Sequence, residues 1–510
     1  MSFIKKNIIL ILILIIGTFL RLYQLNNNPS GFFCDEAAIG YNAYSLITTG
    51  HDEWNQKWPM FFKSFGEYKS PIMTYSTIPF VAILGLNEFS VRLTSVFWGI
   101  VGIYAIYLLG QTAYNKKIGL LSALFLSISP WHIHFSRVSL EGLTPYLSFT
   151  MLGVFYWLLY LKKTKLKDGV KASIFLVLAT YSYFPARIFI PLFGLTILVF
   201  SLKTILKQKK HLIILALLTA ILMAPLIFHI ILGPGLSRWE MVKGEYNFKN
   251  LYSKYFTYFS YDYLFAKGDI DFKNQFITRH SIRGLGQLYL FQLPLLFFGL
   301  IKIFRSIKKS KFSAIILFWL ILYPIPDLFT AQTNPYATRS IIGVIPFQII
   351  SSLGLLFIIN YFKQHYSKKY FLLFIITIII ISFKNYFLLS KKYPLYSSDF
   401  WGWQYGPRQT INYFIKNQPF NDLMCLEGKF NSPEIFIRFY DPENQCLNKC
   451  RICDFKSKDI NKNQLFSISH ESFENMKEKT NFLIQETINY PNGDPAFYIG
   501  KFTNTTINHI

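Results

Sequence analysis

Long apolar runs broken by short basic or polar stretches set the pattern of this chain. Ile8–Gly17, Leu212–Leu232 and Phe371–Phe383 approach or exceed the roughly 20 residues that cross a ~30 Å hydrocarbon core. Each Leu, Ile, Phe or Val favours insertion by about 0.3–0.6 kcal/mol, whereas a central Lys or Asp costs about 3. Such runs insert as helices. Lys5 and Lys6 precede the first run as in a signal peptide, but Arg21-Leu-Tyr-Gln follows it where a small-residue cleavage site would stand. An uncleaved first span is expected.

Lys and Arg near span ends stay cytoplasmic. That rule assigns Asn115-Lys116-Lys117, Lys162–Lys171, Lys203–Lys210, Lys302–Lys311, Lys363–Lys369 and the N-terminus to one side. The pattern then predicts about eleven spans, near 7–25, 91–110, 117–130, 143–161, 171–184, 187–202, 211–232, 286–304, 312–330, 338–360 and 370–389. The apolar stretch Pro71–Leu86 is read as non-crossing, part of a long first outer loop over 26–90, because a span there would put the Lys162–Lys171 cluster outside. The expectation is a membrane all-α fold: a polytopic bundle over 1–390, then a small extracytoplasmic α+β domain over 391–510. Glu434-Ile-Phe-Ile-Arg-Phe-Tyr reads as strand-like within that domain.

Composition agrees with a membrane. Of 510 residues, 52% are hydrophobic and 15% charged, against about 25% charged in soluble domains. The net charge of +25 does not call for nucleic acid, since it sits in short loops that face anionic lipid. Cys425, Cys446, Cys450 and Cys453 fall in the outer tail, where one or two disulfides are expected, ahead of a metal site at the C-x-x-C spacing. Asn504-Thr-Thr506 matches a glycosylation sequon, a three-residue pattern that arises by chance.

The outer face gathers the ionisable groups. The first loop holds Asp35-Glu36, Asp52-Glu53 and Glu67-Tyr-Lys69-Ser-Pro71, and Arg92 opens the second span. Ser129-Pro-Trp-His-Ile-His-Phe-Ser-Arg137-Val-Ser-Leu-Glu141 follows the third, and later turns supply Tyr183-Phe-Pro-Ala-Arg187 and Asn334-Pro-Tyr336-Ala-Thr-Arg339. Ionisable groups bordering spans mark pathways or sites unless they are paired or solvated. Asp35 and Glu36, in apolar surroundings at a helix start, suit a tuned base. Asp52-Glu53 reads as a turn with solvated charges. Arg137 is placed to pair with Glu141, four residues on along a helical face, and His132 and His134 read as packed or hydrogen-bonded.

The order Asp-Glu, then Glu-Tyr-Lys-Ser-Pro, then Leu84-Gly85-Leu-Asn-Glu88-Phe-Ser-Val-Arg92-Leu, then the Ser129–Glu141 segment resembles glycosyltransferase family 39 of the GT-C superfamily. That family includes protein O-mannosyltransferases and lipid A aminoarabinose transferases. The resemblance covers about 1–200, and 330–345 more weakly. Ser70 and Glu141 stand where the family commonly has Pro and Asp. The resemblance implies a polyprenyl-phosphate sugar donor and inverting transfer to a lipid, glycan or protein hydroxyl at the outer face; uninterrupted basic loops and a cysteine-bearing outer domain fit the plasma membrane. It matches Asp35 to the base, Glu36 to its acidic neighbour, Lys69 to the lysine near the donor phosphate and Glu141 to a second acid.

The chemistry agrees with these residue types. A sugar phosphate carries its own leaving group, so a base and phosphate-holding cations suffice, without the paired carboxylates of a glycosidase. Lys69, then Arg92, Arg187 and Arg339, are the cation candidates, with Arg137, Glu141 and Tyr336 completing the substrate-binding set. No metal ligand set and no cofactor are assigned, a divalent metal being left open. No Walker-type loop or cytoplasmic nucleotide-binding signature is found in the sequence, which argues for a lipid-linked donor. A transporter or flippase of lipid-linked saccharides is the alternative; it calls for mid-span charges and broken helices in paired halves. A sensor calls for a cytoplasmic signalling domain, and the basic loops are too short for one.

Overall fold

Each apolar run expected to cross is a helix in the computed structural model, which describes residues 2–244, 247–308, 310–365, 368–427, 430–453, 463–476 and 481–502. The sequon at Asn504 lies outside the described residues. The chain opens with α1 (Ser2–Leu22) and α2 (Cys34–Thr49), a hairpin of β1 (Phe62–Ser64) and β2 (Glu67–Lys69), then α3 (Pro71–Leu84). The bundle continues through α4 (Glu88–Ala113), α5 (Lys116–Ile128), α6 (Pro130–Phe135), α7 (Leu143–Lys163), α8 (Leu166–Thr180), α9 (Ala186–Ile205) and α10 (Lys209–Ile231). Short helices α11 (Ser237–Val242) and α12 (Phe248–Thr257) lead into α13 (Gln292–Ser306), α14 (Lys311–Leu322), α15 (Ile325–Leu328), α16 (Val344–His365) and α17 (Lys368–Lys392).

Among the described residues, six helices are long and apolar enough to cross a membrane: α4, α7, α9, α10, α14 with α15, and α16 with its lead-in turn. The α16 segment is 83% buried and α10 only 11%, so α16 is core and α10 presents its apolar surface outward. The stretch expected not to cross is the 14-residue α3, interrupted by Pro79.

Helix α16 packs on α13 at van der Waals distance because glycines face backbone there. A Cβ at Gly354 would lie 1.8 Å from the Leu295 carbonyl oxygen, and one at Gly299 would lie 2.1 Å from that of Ile350. Small residues let helices approach where lipid supplies no hydrophobic drive.

The C-terminal part adds α18 (Pro394–Ser397), α19 (Pro407–Asn417), α20 (Glu434–Tyr440), α21 (His470–Met476) and a mixed sheet. Its strands β3 (Leu423–Leu426), β4 (Cys450–Ile452), β5 (Gln464–Ser469), β6 (Phe482–Asn489) and β7 (Pro495–Phe502) lie in the order β4-β3-β5-β7-β6. Disulfides join Cys425 to Cys453 and Cys446 to Cys450. The strand-like Glu434–Tyr440 segment is instead helical. Ile435, Phe436 and Phe439 fall at i, i+1 and i+4, one buried helical face, while Arg438 is exposed. Phe439 rests on Gly40 of α2 and meets Phe32 at 4.8 Å between ring centroids.

Asp52-Glu53 does form a turn, but its charges are not solvated. Buried Asp52 accepts hydrogen bonds from the Trp54 and Gln56 amides at 2.9 and 2.8 Å, and half-buried Glu53 accepts one from Asn42 at 3.1 Å.

What aims the start of α2 is a wholly buried ion pair. Arg92 donates to both Glu36 oxygens at 3.0 Å, and the same guanidinium bonds the carbonyls of Leu25, Pro29 and Gly31 at 3.3, 3.1 and 2.7 Å. Glu36 also accepts from the Ser139 amide at 3.0 Å and the Phe33 amide at 3.3 Å. Every lone pair and donor that burial strips of water thus has a partner.

The glycine seam predicts that Gly354→Ala lowers stability by about 1–3 kcal/mol, read as a lower unfolding midpoint in detergent. Gly194→Ala, where nothing lies within 4 Å of the new methyl, shifts it by less than about 0.5 kcal/mol. Arg92→Met strands a buried carboxylate and costs about 3–5 kcal/mol. Adding Glu36→Gln recovers part of that loss; simple additivity of the two would show the pair is uncoupled.

Candidate active site

Two neighbouring acids in the first turn of α2 project about 100° apart on the helix, and this separates their roles. Glu36 turns inward onto Arg92; Asp35 turns into a cavity. Both sit where the positive end of the helix dipole favours carboxylates. The β1–β2 hairpin reverses at Phe65 and Gly66, both at positive φ, and strand alternation then puts Glu67 and Lys69 on one face. Lys69 Nζ pairs with Asp35 Oδ1 and lies 3.8 Å from Glu67.

Glu141 reaches the same place through a left-handed backbone, φ 47°, a strained conformation for a residue with a side chain. Gly142 beside it has no room for a Cβ, which would lie 1.9 Å from the Ser182 carbonyl oxygen. Arg238, from α11, lies 2.9 Å from Glu67 and 3.9 Å from Glu141. Arg339 is held by Asp327 at 2.7 Å, Thr330 at 2.9 Å and Gln332 at 2.7 Å, and stacks on Tyr336 with its guanidinium 4.1 Å from the ring centroid. Arg279 stacks on Phe33 at 4.0 Å and donates to the Trp401 carbonyl at 2.7 Å.

These groups surround a cavity of about 390 Å³, lined by Asp35, Leu140, Glu141, Leu143, Tyr183, Arg238, Arg279, His280, Tyr336, Thr338 and Arg339. A second space of about 350 Å³ shares Glu141, Tyr183, Arg238 and Arg339, and adds apolar walls from Phe184, Pro185, Trp239, Val242 and Pro326. Lys69, Arg238, Arg279 and Arg339 face Asp35, Glu67, Glu141 and Asp327, so the cations of the site are matched by acids.

Burial opposes ionisation of Asp35, but the adjoining Lys69 outweighs it and holds the carboxyl below its usual value, with Arg238 and Arg279 assisting. Burial likewise opposes the charge on Lys69; Asp35 and Glu67 overcome it and push its pKa up. For Glu141 burial prevails. Arg238 and Lys69 only partly offset it, and the nearby Glu67 and Asp35 add to the rise.

Of the residues singled out in the sequence, Asp35, Glu141, Tyr336 and Arg339 line the cavity and Lys69 pairs with Asp35 at its edge. Glu36 and Arg92 do not line it; they clamp the loop behind it. Arg187 stands aside, 3.3 Å from the Gly235 carbonyl and 3.4 Å from the Ser70 hydroxyl, and stacks on Phe184 at 5.0 Å. Arg137 does not pair with Glu141. The chain between them is not helical, so the four-residue spacing fails to bring them together, and Arg137 bonds the carbonyls of Leu20, Arg21 and Asn28 instead. Both histidines are hydrogen-bonded: His132 accepts from Arg21 at 2.6 Å, and His134 donates to the Arg279 carbonyl at 2.7 Å. Sequence reasoning passed over Arg238, Arg279 and His280. All three come from the polar stretch 233–285 between two expected spans, whose length and arginines were the available signal. Among the described residues, no group of three or more His, Cys, Asp or Glu is arranged to hold a metal ion.

Comparison with known proteins agrees with this architecture. ArnT from Cupriavidus metallidurans, solved with undecaprenyl phosphate, superposes with a TM-score of 0.54 at 11% identity, covering 96% of this chain and 97% of that one. The oligosaccharyltransferase of Archaeoglobus fulgidus tethered to an acceptor peptide superposes with a TM-score of 0.52 at 13% identity, over 86% of this chain. The match spans 64% of that enzyme's length. Its apo form gives a TM-score of 0.55 at 12% identity, covering 100% of this chain and 76% of that one. No curated protein sequence matches. Residues 68–229, which include Lys69, Arg92, Arg137, Glu141 and Arg187, match the family described as dolichyl-phosphate-mannose-protein mannosyltransferase. The chain therefore has a GT-C-like fold, largely helical with a C-terminal sheet, and that family's sequence pattern matches it over residues 68–229.

Proposed function

We propose that this protein is a membrane glycosyltransferase that moves a sugar from a polyprenyl-phosphate donor to a hydroxyl of a lipid, glycan or protein acceptor, with inversion. The observation that carries the reading is the placement of Asp35 on the same cavity as Arg238, Arg279 and Arg339, with Lys69 bound to it. In this reading residues 1–390 form the catalytic membrane domain and 391–510 a separate domain, both the site and that domain facing outward from the plasma membrane.

The donor's phosphate lies against Lys69, Arg238 and Arg339, and its lipid chain leaves past the apolar walls at Phe184, Trp239 and Pro326. The acceptor hydroxyl attacks the anomeric carbon as the bond to the phosphate oxygen breaks. Asp35 takes the hydroxyl proton, and the departing phosphate keeps the bonding electron pair, stabilised by the cations. Before donor binds, Lys69 holds Asp35 in a weakly basic state. An incoming phosphate competes for Lys69 and so frees Asp35 to accept a proton. Glu141, whose burial favours its protonated form, can donate a hydrogen bond to a sugar hydroxyl.

Asp35→Asn should lower transfer from radiolabelled polyprenyl-phosphate sugar by at least about 100-fold, while retaining the wild-type unfolding midpoint and binding of polyprenyl phosphate. Equal rates would remove Asp35 as the base. The pH dependence of kcat/KM gives a second check, because it reports the free enzyme. Asp35 is depressed, so the acid limb it contributes lies below about 3.9 in the wild type. Lys69→Met removes the principal cation and leaves burial less opposed, so that limb moves to higher pH. A limb that stays in place would show that Lys69 does not set the ionisation of Asp35.

A further inference from the structure

Behind the wall formed by residues 279–282 lies another cavity, of about 540 Å³, lined in part by Ile282 and His134. Arg137 and Lys391 also line it, and no carboxylate does. Arg137 is nearly buried and is held by carbonyl groups, at 2.9 Å from Leu20, 3.1 Å from Arg21 and 2.7 Å from Asn28. The next guanidinium inward, Arg21, is fully buried and bonded to the carbonyls of Gly17 and Ser127 at 2.8 and 3.1 Å. Among the described residues none of Arg21, Arg137 and Lys391 forms an ion pair. For the two buried arginines, carbonyl groups and His132 partner the guanidinium NH groups, Arg21 Nε has no partner, and the net positive charge stays in place; removing such charge from water is costly without an anion.

The rim of this cavity is mixed, with Gln24 and Lys391 beside the rings of Tyr23 and Phe387. Tyr23 and Phe387 meet there with ring centroids 5.4 Å apart, and Asn28 ties the two sides by donating to the Ser390 carbonyl at 2.8 Å. Exposed apolar stripes run from the rim along both bordering helices, with Ile15, Ile16 and Phe19 on α1 and Ile380, Ile381 and Leu388 on α17. A basic floor beneath an apolar track matches one kind of occupant, an anionic amphiphile. Aromatic rings at such a boundary sit at the level of lipid headgroups.

From this we infer that the cavity binds the phosphate headgroup of an anionic membrane lipid, whose chains lie along α1 and α17. The site is separate from the one around Asp35 and stands whether or not that site transfers sugar. It also abuts the clamp: Arg137 bonds Asn28 and Arg92 bonds Pro29, so an occupied cavity braces the lead-in to α2.

The test follows thermal unfolding of the full-length protein in nonionic detergent while phosphatidylglycerol, phosphatidylcholine or inorganic phosphate is added. Phosphatidylglycerol is expected to raise the midpoint saturably. Lys391→Glu should weaken its apparent affinity at least about tenfold, whereas Lys392→Glu, an equally exposed neighbour that does not line the cavity, should change it by no more than about twofold. Both lysines are exposed, and both variants should unfold like the wild type without added lipid. Asp35→Asn should keep the full response, which separates this result from any failure of the transferase reading. The inference is overturned if phosphatidylglycerol gives no shift, if both lysine variants lose it equally, or if phosphatidylcholine matches it. It is also overturned if inorganic phosphate alone reproduces the Lys391-dependent effect, since the ligand is then a free ion.

Discussion

A single buried ion pair, Glu36 with Arg92, fixes the start of α2 and with it the position of Asp35. Its guanidinium gathers three carbonyls of the loop before α2, and its carboxylate gathers amides from Phe33 and from Ser139, far along the chain. The helix start is thereby locked to the second span and to the segment that carries Glu141. Since Asp35 immediately precedes Glu36 on that helix, its direction follows from the lock. Positioning of this kind matters because proton transfer needs heavy atoms within about 3 Å.

The second constraint is charge balance inside a low-dielectric site. Lys69, Arg238 and Arg339 are each partnered by acids, Asp35, Glu67, Glu141 and Asp327, and only this pairing lets so many cations remain beneath the surface. In the proposed function a donor phosphate entering the cavity competes with these carboxylates for the cations. In the proposed reaction Asp35 is the carboxylate whose release has a chemical consequence, because Lys69 is the largest of the cationic influences that keep its basicity low. The cavity beyond residues 279–282 has the opposite character: cations bonded to carbonyls, with no acid to exchange.

Sequence pattern carried much of the fold. Apolar length located each long helix of the bundle, since hydrophobic insertion depends on local composition and needs no partner. The two disulfides were likewise within reach of cysteine placement, although the pairing was not. The Glu434–Tyr440 segment was misread because a short apolar run has no decisive period. Burial of Ile435, Phe436 and Phe439, with Phe439 against α2, settles it as a helix, a tertiary contact that no local propensity encodes. Arg137 failed for the same reason in reverse: its spacing to Glu141 suits a helix, but the backbone there is not helical.

For the site, the amino-acid sequence by itself determined the residue types and their order: an acid pair before a helix, a Glu-x-Lys on an alternating strand, and arginines at span ends. Those depend on neighbours a few positions away, and local geometry decides them. Only the tertiary structure decided that Asp35 and Glu36 point to different surroundings, that Arg238 and Arg279 complete the cavity, and that Arg92 and Arg137 bond loop carbonyls while Arg187 bonds the Gly235 carbonyl and the Ser70 hydroxyl. Each of those outcomes rests on ion pairs and carbonyl contacts between segments distant along the chain. The energy of such contacts exists only after the helices have packed, so nothing in the linear pattern records which cation meets which partner.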